Sequence, residues 1–486
     1  MFQWGYGRTA ARMASLLDMS APAASSAYRP ASGVLGWVAA WASLLPLAAY
    51  RAGNLTESDT FWQVRAGELI LATGAVPRFD SWSWTANGEP WTMNSWAFNV
   101  LVGIAHSIGG LPLVALACAG LAALAMAAVL LLARRVGASP AVAAVLATVA
   151  MALLLGWFSA RPQLVDYLAV PLLVLMLRAV ANGRRPWPWA VACVGLALVW
   201  MNLHAAALLG VAIAGAAGLV LVLRPVTRRP GWLVLGTAAA MALATLATPY
   251  GLAGYLQAGS VQGASAGVIT EWAALNPADP VQLVAVLAGI GGLASAVRLR
   301  ETGLAVALAI TTAGGVFAIR LLPIAVLLAV PALAAVATSP ALLARLRGLR
   351  AVTIPGLAIW LGLAGWFAVG ALMHPGRPDA SRYSPDAIAA IPSGCRVVNT
   401  YEVGGYLGLI RHDVLVSIDS RNDLFGPQRV LAATRLIEAE GAVGAGLAGA
   451  DCVLVPLQAP LAAVLATDPA WSAAARDSIQ VLYLRS

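Results

Sequence analysis

Apolar residues in this chain come in long uninterrupted runs, at 34–50, 112–133, 140–157, 163–180, 188–223, 231–248, 279–297, 303–319, 321–338 and 354–372. Most approach the roughly 20 residues that an α-helix needs to cross the hydrocarbon of a bilayer. The run at 188–223 is too long for one helix and holds polar Asn202 and His204 near its middle. It is read as two spans joined by a tight turn, which brings the expected number to about eleven. Arginine pairs and triplets punctuate the runs: Arg134/Arg135, Arg178/Arg184/Arg185, Arg224/Arg228/Arg229, Arg298/Arg300 and Arg345/Arg347/Arg350. Arginine-rich loops stay on the cytoplasmic side. That rule puts the N-terminus inside and the C-terminus outside, provided that 94–110 ("NSWAFNVLVGIAHSIGG") lies in the outer interface, anchored by Trp96, rather than spanning.

The expected organisation follows. Residues 1–33 form a cytoplasmic tail, 34–50 the first transmembrane helix, and 51–111 an extracytoplasmic first loop with interfacial helices. Residues 112–372 form the transmembrane bundle, and 373–486 a small extracytoplasmic α/β domain. The segment "HPGRPDASRYSP" (374–385) has the composition of a linker. Beyond it, β-rich runs at 396–401, 414–419, 451–456 and 479–484 alternate with loops and a helical stretch at 428–441.

Composition supports this picture. Of 486 residues, 60% are hydrophobic and only 10% charged, against about a quarter charged in soluble proteins. The net charge of +9 comes entirely from arginines; they sit between apolar runs as topology signals, so no nucleic-acid partner is expected and membrane lipids are the surroundings. No A-x-A-like cleavage site follows the first run, which is read as an uncleaved span. Cys118 and Cys193 fall in apolar runs and read as small core residues. Cys395 and Cys452 share the C-terminal region; two free thiols are the expectation, with a disulfide as the alternative in an extracytoplasmic domain.

Candidate chemistry gathers in the first loop, in "NLTESDTFWQVRAGELI" (54–70). Thr60 followed by Gln63 has the spacing of a capping box, and Gly74 suits a helix C-terminus, so 61–73 is read as a helix on the membrane surface. Glu57 and Asp59 then precede its N-terminus, where the helix dipole favours negative charge. Two carboxylates at E-x-D spacing can also divide base and metal roles. Trp82, Trp84, Trp91 and Trp96 are read as an interfacial aromatic belt, with a lipid- or sugar-contacting wall as the alternative. Asn87-Gly88 marks a tight turn.

Arg161 and Arg320 sit where spans meet the outer surface, with Asp166 about one turn into the span after Arg161. Each arginine alone reads as a snorkelling side chain; two opening on the face that bears Asp59 point to a phosphate site. His204 reads first as a hydrogen-bonded turn residue. Glu271-Trp272 serves either as substrate contact or helix cap. Nucleophile-elbow, P-loop, dinucleotide-binding and zinc-protease motifs are absent, and acid-poor spans argue against an ion-coupled transporter. In the C-terminal region, Asn399, Tyr401, Asp419 and Arg421 form the most site-like cluster.

Taken with the spans, "ESDTFWQVRAGELILATGAVPRFDSWSWTANGEPW" (57–91), "RPQ" (161–163), "WMNLH" (200–204), "TPYG" (248–251) and "NTYEVGGYL…SIDSRNDLF" (399–425) resemble motifs of the GT-C glycosyltransferases. More narrowly, they resemble bacterial members related to the dolichyl-phosphate-mannose-type and aminoarabinose-type transferases. The resemblance implies an α-helical polytopic membrane protein of a bacterial inner membrane, moving a sugar from a polyprenyl-phosphate-linked donor to a hydroxyl of a glycan, lipid or protein acceptor. Asp59 matches the general-base position, with Glu57 orienting it. Arg320, Arg161, Arg65 and His204 would bind the donor phosphate; Trp62, Gln63, Asn202, Glu271 and Trp272 would contact substrate. The loop carries E-x-D rather than D-x-D, so a metal-free site and one in which Glu57 and Asp59 share magnesium or manganese both stay open. A non-catalytic GT-C-like protein that handles lipid-linked glycan is the alternative.

Overall fold

The computed structural model describes residues 33–50, 54–255, 270–338, 362, 365–366, 368–370 and 372–486. The expected span at 354–372 and the tail at 1–32 lie essentially outside the described residues. Helices α1 (Val34–Ala42) and α2 (Leu45–Tyr50) cover the first apolar run. Strand β1 (Asn54–Leu55) and helix α3 (Ser58–Thr73) follow in the first loop. The bundle is then built from α4 (Trp96–Val136), α5 (Pro140–Leu153), α6 (Gln163–Asn182), α7 (Pro186–Leu203), α8 (Ala207–Val222), α9 (Arg228–Ala244), α10 (Pro280–Arg298), α11 (Thr302–Phe317) and α12 (Leu322–Ala337). Five of the described helices are each long and apolar enough to cross a membrane, and the sharply bent α8–α9 pair makes a sixth if it counts as one span. The run at 188–223 does divide, as predicted, at His204, whose extended backbone ends α7.

Helix α4 breaks at the end of 94–110. Gly109 and Gly110 leave helical geometry, Gly110 at φ +64°, and Pro112 follows. A left-handed residue suits glycine, and the proline blocks helix continuity behind it. The first part of α4, residues 96–108, therefore rises only about 20 Å at 1.5 Å per residue, short of the roughly 30 Å hydrocarbon core. It packs against α3 through bare backbone: a Cβ on Gly67 would lie 1.9 Å from the Asn99 carbonyl oxygen, and one on Gly103 2.8 Å from the Gly67 carbonyl carbon.

Helix α3 departs from its predicted form. It starts at Ser58, not 61, with Glu57 at the N-cap and no side-chain cap. Thr60 Oγ1 instead donates to the carbonyl of Ala160 at 2.9 Å, which ties the helix start to the bundle. Only its end holds as expected, with Gly74 at φ +67°. Nor does it lie on a surface: Phe61, Trp62, Val64, Ala66 and Ile70 are buried around most of its circumference, between α4 and the C-terminal domain.

Short strand β2 (Arg377–Pro378) pairs in parallel with β1, so the expected linker is partly structured. The domain then comprises α13 (Pro385–Ala389), β3 (Arg396–Asn399), α14 (Tyr401–Ile410), β4 (Leu415–Val416), α15 (Asn422–Ile437), α16 (Val443–Gly446), β5 (Cys452–Pro456), α17 (Pro460–Leu465), β6 (Trp471–Arg476) and β7 (Gln480–Arg485). The strand order is β4-β3-β5-β7-β6, parallel through β5 and antiparallel beyond. The α/β character matches expectation; α14 replaces the end of the predicted strand at 396–401, and alanine-rich β6 carries no strand signal in sequence. Cys395 and Cys452 are disulfide-bonded, their Cα atoms 6.2 Å apart across β3 and β5. Two free thiols were the wrong expectation, because sequence alone does not reveal that these strands are neighbours. Cys118 and Cys193 are free and buried.

The tryptophans of the first loop form no interfacial belt. Trp82 Nε1 donates to Asp419, Trp84 Nε1 to the Val397 carbonyl, and Trp91 Nε1 to Asp423, at 3.1, 3.1 and 3.2 Å. The perpendicular rings of Trp82 and Trp91 both abut the guanidinium of Arg421, at 3.9 and 4.7 Å from their centroids. That guanidinium bridges Asp80 at 2.6 Å and Asp419 at 2.8 Å, all three side chains fully buried. The loop is thus the interior joint between bundle and domain.

Candidate active site

A cavity of ≈ 820 Å³ opens where the ends of α6, α7, α11 and α12 meet α3 and the C-terminal domain, and Asp59, Arg161, His204, Glu271 and Arg320 all line it. Chain geometry explains the convergence. Asp59 stands in the first turn of α3; Arg161 lies just before α6; Arg320 occupies a 3-10 turn leading into α12, the most enclosed candidate span with 72% of its apolar window buried. Each charge sits at a helix start, where the chain leaves the apolar bundle.

Arg161 is a hub. Its Nη2 lies 2.8 Å from Asp59 Oδ2, its Nη1 4.0 Å from Glu57 Oε2, and it forms a two-pronged ion pair with Glu271. Burial lowers the pKa of Arg161, but the attraction of Asp59, Glu271 and Glu57 outweighs it and raises the pKa above the ordinary arginine value. Burial likewise opposes the charge of Glu271, yet Arg161 brings its pKa below the usual carboxylate range. Glu57 also lines an adjoining hollow of ≈ 110 Å³ with Arg161, Glu271 and Arg320. Trp62 Nε1 donates to Asp59 Oδ1 at 3.2 Å and fixes that carboxylate from the other side.

Arg320 differs. Among the described residues it makes no ion pair; its guanidinium stacks over the Trp272 ring at 4.2 Å. His204 is the hydrogen-bonded turn residue predicted, its Nδ1 2.8 Å from Asp166 Oδ2, while Trp200 Nε1 donates to Asp166 Oδ1 at 2.7 Å. These two partners explain an acid at 4% exposure one turn inside a span. His204 nevertheless faces the cavity.

Trp62, Gln63, Glu271 and Trp272 line the cavity, whereas Arg65 and Asn202 do not. Six positions beyond Asp59, Arg65 is turned about 120° around the helix, beside Glu68. The Asn202 amide is already used: its Oδ1 accepts from Trp96 Nε1 at 2.8 Å, and its Nδ2 donates to the carbonyls of Leu198 and Ala247. Of the cluster expected in the C-terminal region, Asp419 and Arg421 serve the joint, and Tyr401 accepts from Asn422 Nδ2 at 2.7 Å. The residues that reach the cavity are Ser420, Asn422 and Asp423. Only the polar run "SRND" after a strand signalled them in sequence. Asp423 carries a pKa pushed up to about 6, chiefly by burial.

Among the described residues, no group of three His, Cys, Asp or Glu side chains is arranged to hold a metal ion. The three carboxylates nearest to such an arrangement, Glu57, Asp59 and Glu271, converge on the Arg161 guanidinium. A resident divalent cation does not fit a donor set already committed to a fixed cation.

No protein-family model and no curated protein matches the sequence. Solved structures do match. The crystal structure of the Archaeoglobus fulgidus oligosaccharyltransferase, tethered to an acceptor peptide with the NVT sequon, aligns with a TM-score of 0.58 at 14% identity, over 89% of this chain and 70% of that one. The oligosaccharyltransferase AglB of the same organism, in complex with an inhibitory peptide and a dolichol-phosphate, gives 0.54 at 13% identity, over 87% and 69%. ArnT from Cupriavidus metallidurans aligns over 92% and 98% at 17% identity, but its TM-score of 0.45 is too low for any argument. At such identities the likeness is one of fold: the chain shares the fold of these oligosaccharyltransferases, and five of its described helices are long and apolar enough to cross a membrane.

Proposed function

We propose that this protein is an integral-membrane glycosyltransferase that moves a sugar from a polyprenyl-phosphate donor to an acceptor hydroxyl, with Asp59 as general base. The cavity would open on the outer face of a bacterial inner membrane, with the N-terminus cytoplasmic and the C-terminal domain extracytoplasmic. The observation that carries the reading is Arg320, a partly buried guanidinium without an ion pair among the described residues, in one cavity with Asp59. An enclosed arginine that attracts Glu271 and Asp166 only from beyond ion-pairing distance can take an anion directly, and phosphate matches its fork of donors. The AglB structure with a dolichol-phosphate supports the class of ligand.

In this reading the donor phosphate pairs with Arg320 and competes with Asp59 and Glu271 for Arg161. As Arg161 turns toward the phosphate, Asp59 is freed to accept the proton of the acceptor hydroxyl. The hydroxyl oxygen then bonds to the anomeric carbon while the bond from that carbon to the phosphate oxygen breaks. The electron pair leaves with the lipid phosphate, stabilised by Arg320 and Arg161. Trp62 and Glu57 keep the base oriented.

Native mass spectrometry of the purified protein with decaprenyl phosphate tests the phosphate site. The wild type should retain one lipid, and Arg320→Ala should weaken binding about tenfold or more, as expected for a lost charge-assisted contact. Equal binding by both proteins would remove the basis of the proposal.

A further inference from the structure

Among the cavity's polar side chains with an unmatched oxygen, Gln63, Gln163 and Ser420, two are nine-tenths or more buried and are unexplained by phosphate binding or by proton transfer. Gln63 on α3 is 3% exposed and Ser420 after β4 is 4% exposed. Both line the cavity, and neither Gln63 Oε1 nor Ser420 Oγ has a hydrogen-bond partner among the described residues. A buried polar atom left unmet costs about 1–3 kcal/mol, so two of them facing one cavity mark a place where a ligand completes the bonding. The surroundings define that ligand. The carboxylates of Asp59 and Asp423 line the same cavity, and Arg421, the cation next to Ser420 in the chain, is locked between Asp80 and Asp419. An anion is therefore disfavoured here, while a neutral ligand rich in hydroxyls can donate to Gln63 and Asp423 and bond either way with Ser420. Trp62 adds an indole wall of the kind on which the C–H face of a pyranose packs.

We propose that Gln63, Ser420 and Asp423, with the Trp62 ring, form a polyol subsite that reads the hydroxyls of a sugar, at the domain side of the cavity and separate from the phosphate site at Arg320. The proposal rests on the glycosyltransferase reading and narrows it: the C-terminal domain contributes to sugar choice. The sugar recognised belongs either to the donor or to the acceptor.

Binding to the full-length protein in nanodiscs tests this and separates the two sources. The probes are decaprenyl phosphate alone, the same lipid bearing mannose, glucose, galactose or arabinose, and the methyl glycosides of those sugars added to protein loaded with bare lipid. If the donor sugar is read, at least one glycosylated lipid binds tighter than bare lipid; Ser420→Ala and Asp423→Asn each shrink that ratio by about fivefold, the worth of one hydrogen bond. If the acceptor is read, the same variants weaken a methyl glycoside by about fivefold instead. Ser420→Thr, which keeps the hydroxyl, should retain the preference in either case, and a thermal midpoint for each variant reports folding. Unchanged sugar preference in both folded variants, or no preference in the wild type, overturns the subsite while leaving the phosphate site standing. Absence of any binding of bare decaprenyl phosphate would instead defeat the glycosyltransferase reading.

Discussion

Arg161 and Arg320 border one cavity and are committed differently. Three carboxylates surround the first, so its charge is largely spent on Asp59, Glu271 and Glu57; the second leans on an indole ring. A single aromatic face recovers only about 2 kcal/mol, and Glu271 and Asp166 act on Arg320 from beyond ion-pairing distance, so a place for a directly paired anion stays open. Asp423 is the matching oddity among the acids, with a pKa near 6 because burial disfavours its charge. The sign follows from proton counts. Between about pH 4, where an unfolded aspartate titrates, and pH 6, the folded state holds more protons, so this residue's contribution to stability falls as pH rises and levels off above. Asp423→Asn removes that fall. Its stability relative to wild type should therefore increase from pH 4 to 6 and stay constant beyond, as read by thermal unfolding; a flat difference throughout would contradict the assignment.

At the level of elements, α3 determines the site. Its approach to α4 depends on Gly67 meeting Asn99 and Gly103 without side chains between them. Gly67→Ala forces the helices apart and should cost about 1–3 kcal/mol by overpacking. It should also slow sugar transfer, because Asp59 and Trp62 ride on the same helix; a variant with unchanged midpoint and transfer rate would show that the close approach is not needed. How far α3 was legible follows from the same residues. Gly74 and the helix end are local signals and lie where the sequence puts them, whereas of the E-x-D acids expected before the helix, Asp59 lies inside its first turn. The burial of α3 was not legible, since its apolar residues spread around the helix instead of marking one face, and its covering partners lie hundreds of positions away in the C-terminal domain. Trp82 and Trp91 misled for the same reason: tryptophans beside a membrane span fit an aromatic belt until Arg421, Asp419 and Asp423 are brought against them. Arg161, His204 and Arg320 were legible because arginine topology puts their helix ends on one side.

For the molecule as a whole, the first loop couples bundle and domain, and the cavity needs both. The coupling centres on Arg421 between Asp80 and Asp419, a fully buried ion triad flanked by two indoles. Arg421→Ala leaves two buried carboxylates uncompensated and should cost about 3–5 kcal/mol. Limited proteolysis should then cut within 374–385 sooner than in wild type, and an unchanged cleavage rate would contradict the triad's role as clamp. Because Ser420, Asn422 and Asp423 flank that clamp, a sound joint is also what keeps the domain over Asp59. The central claim, that Asp59 accepts the acceptor proton beside a lipid-phosphate site, is tested most directly by transfer from decaprenyl-phosphate sugars in proteoliposomes. Wild type should transfer, and Asp59→Asn, inserted and binding decaprenyl phosphate at least as tightly, should be slower by about 10²–10⁴-fold, the usual worth of a general base. Transfer by Asp59→Asn at the wild-type rate, or no transfer by wild type from any such donor, would contradict it.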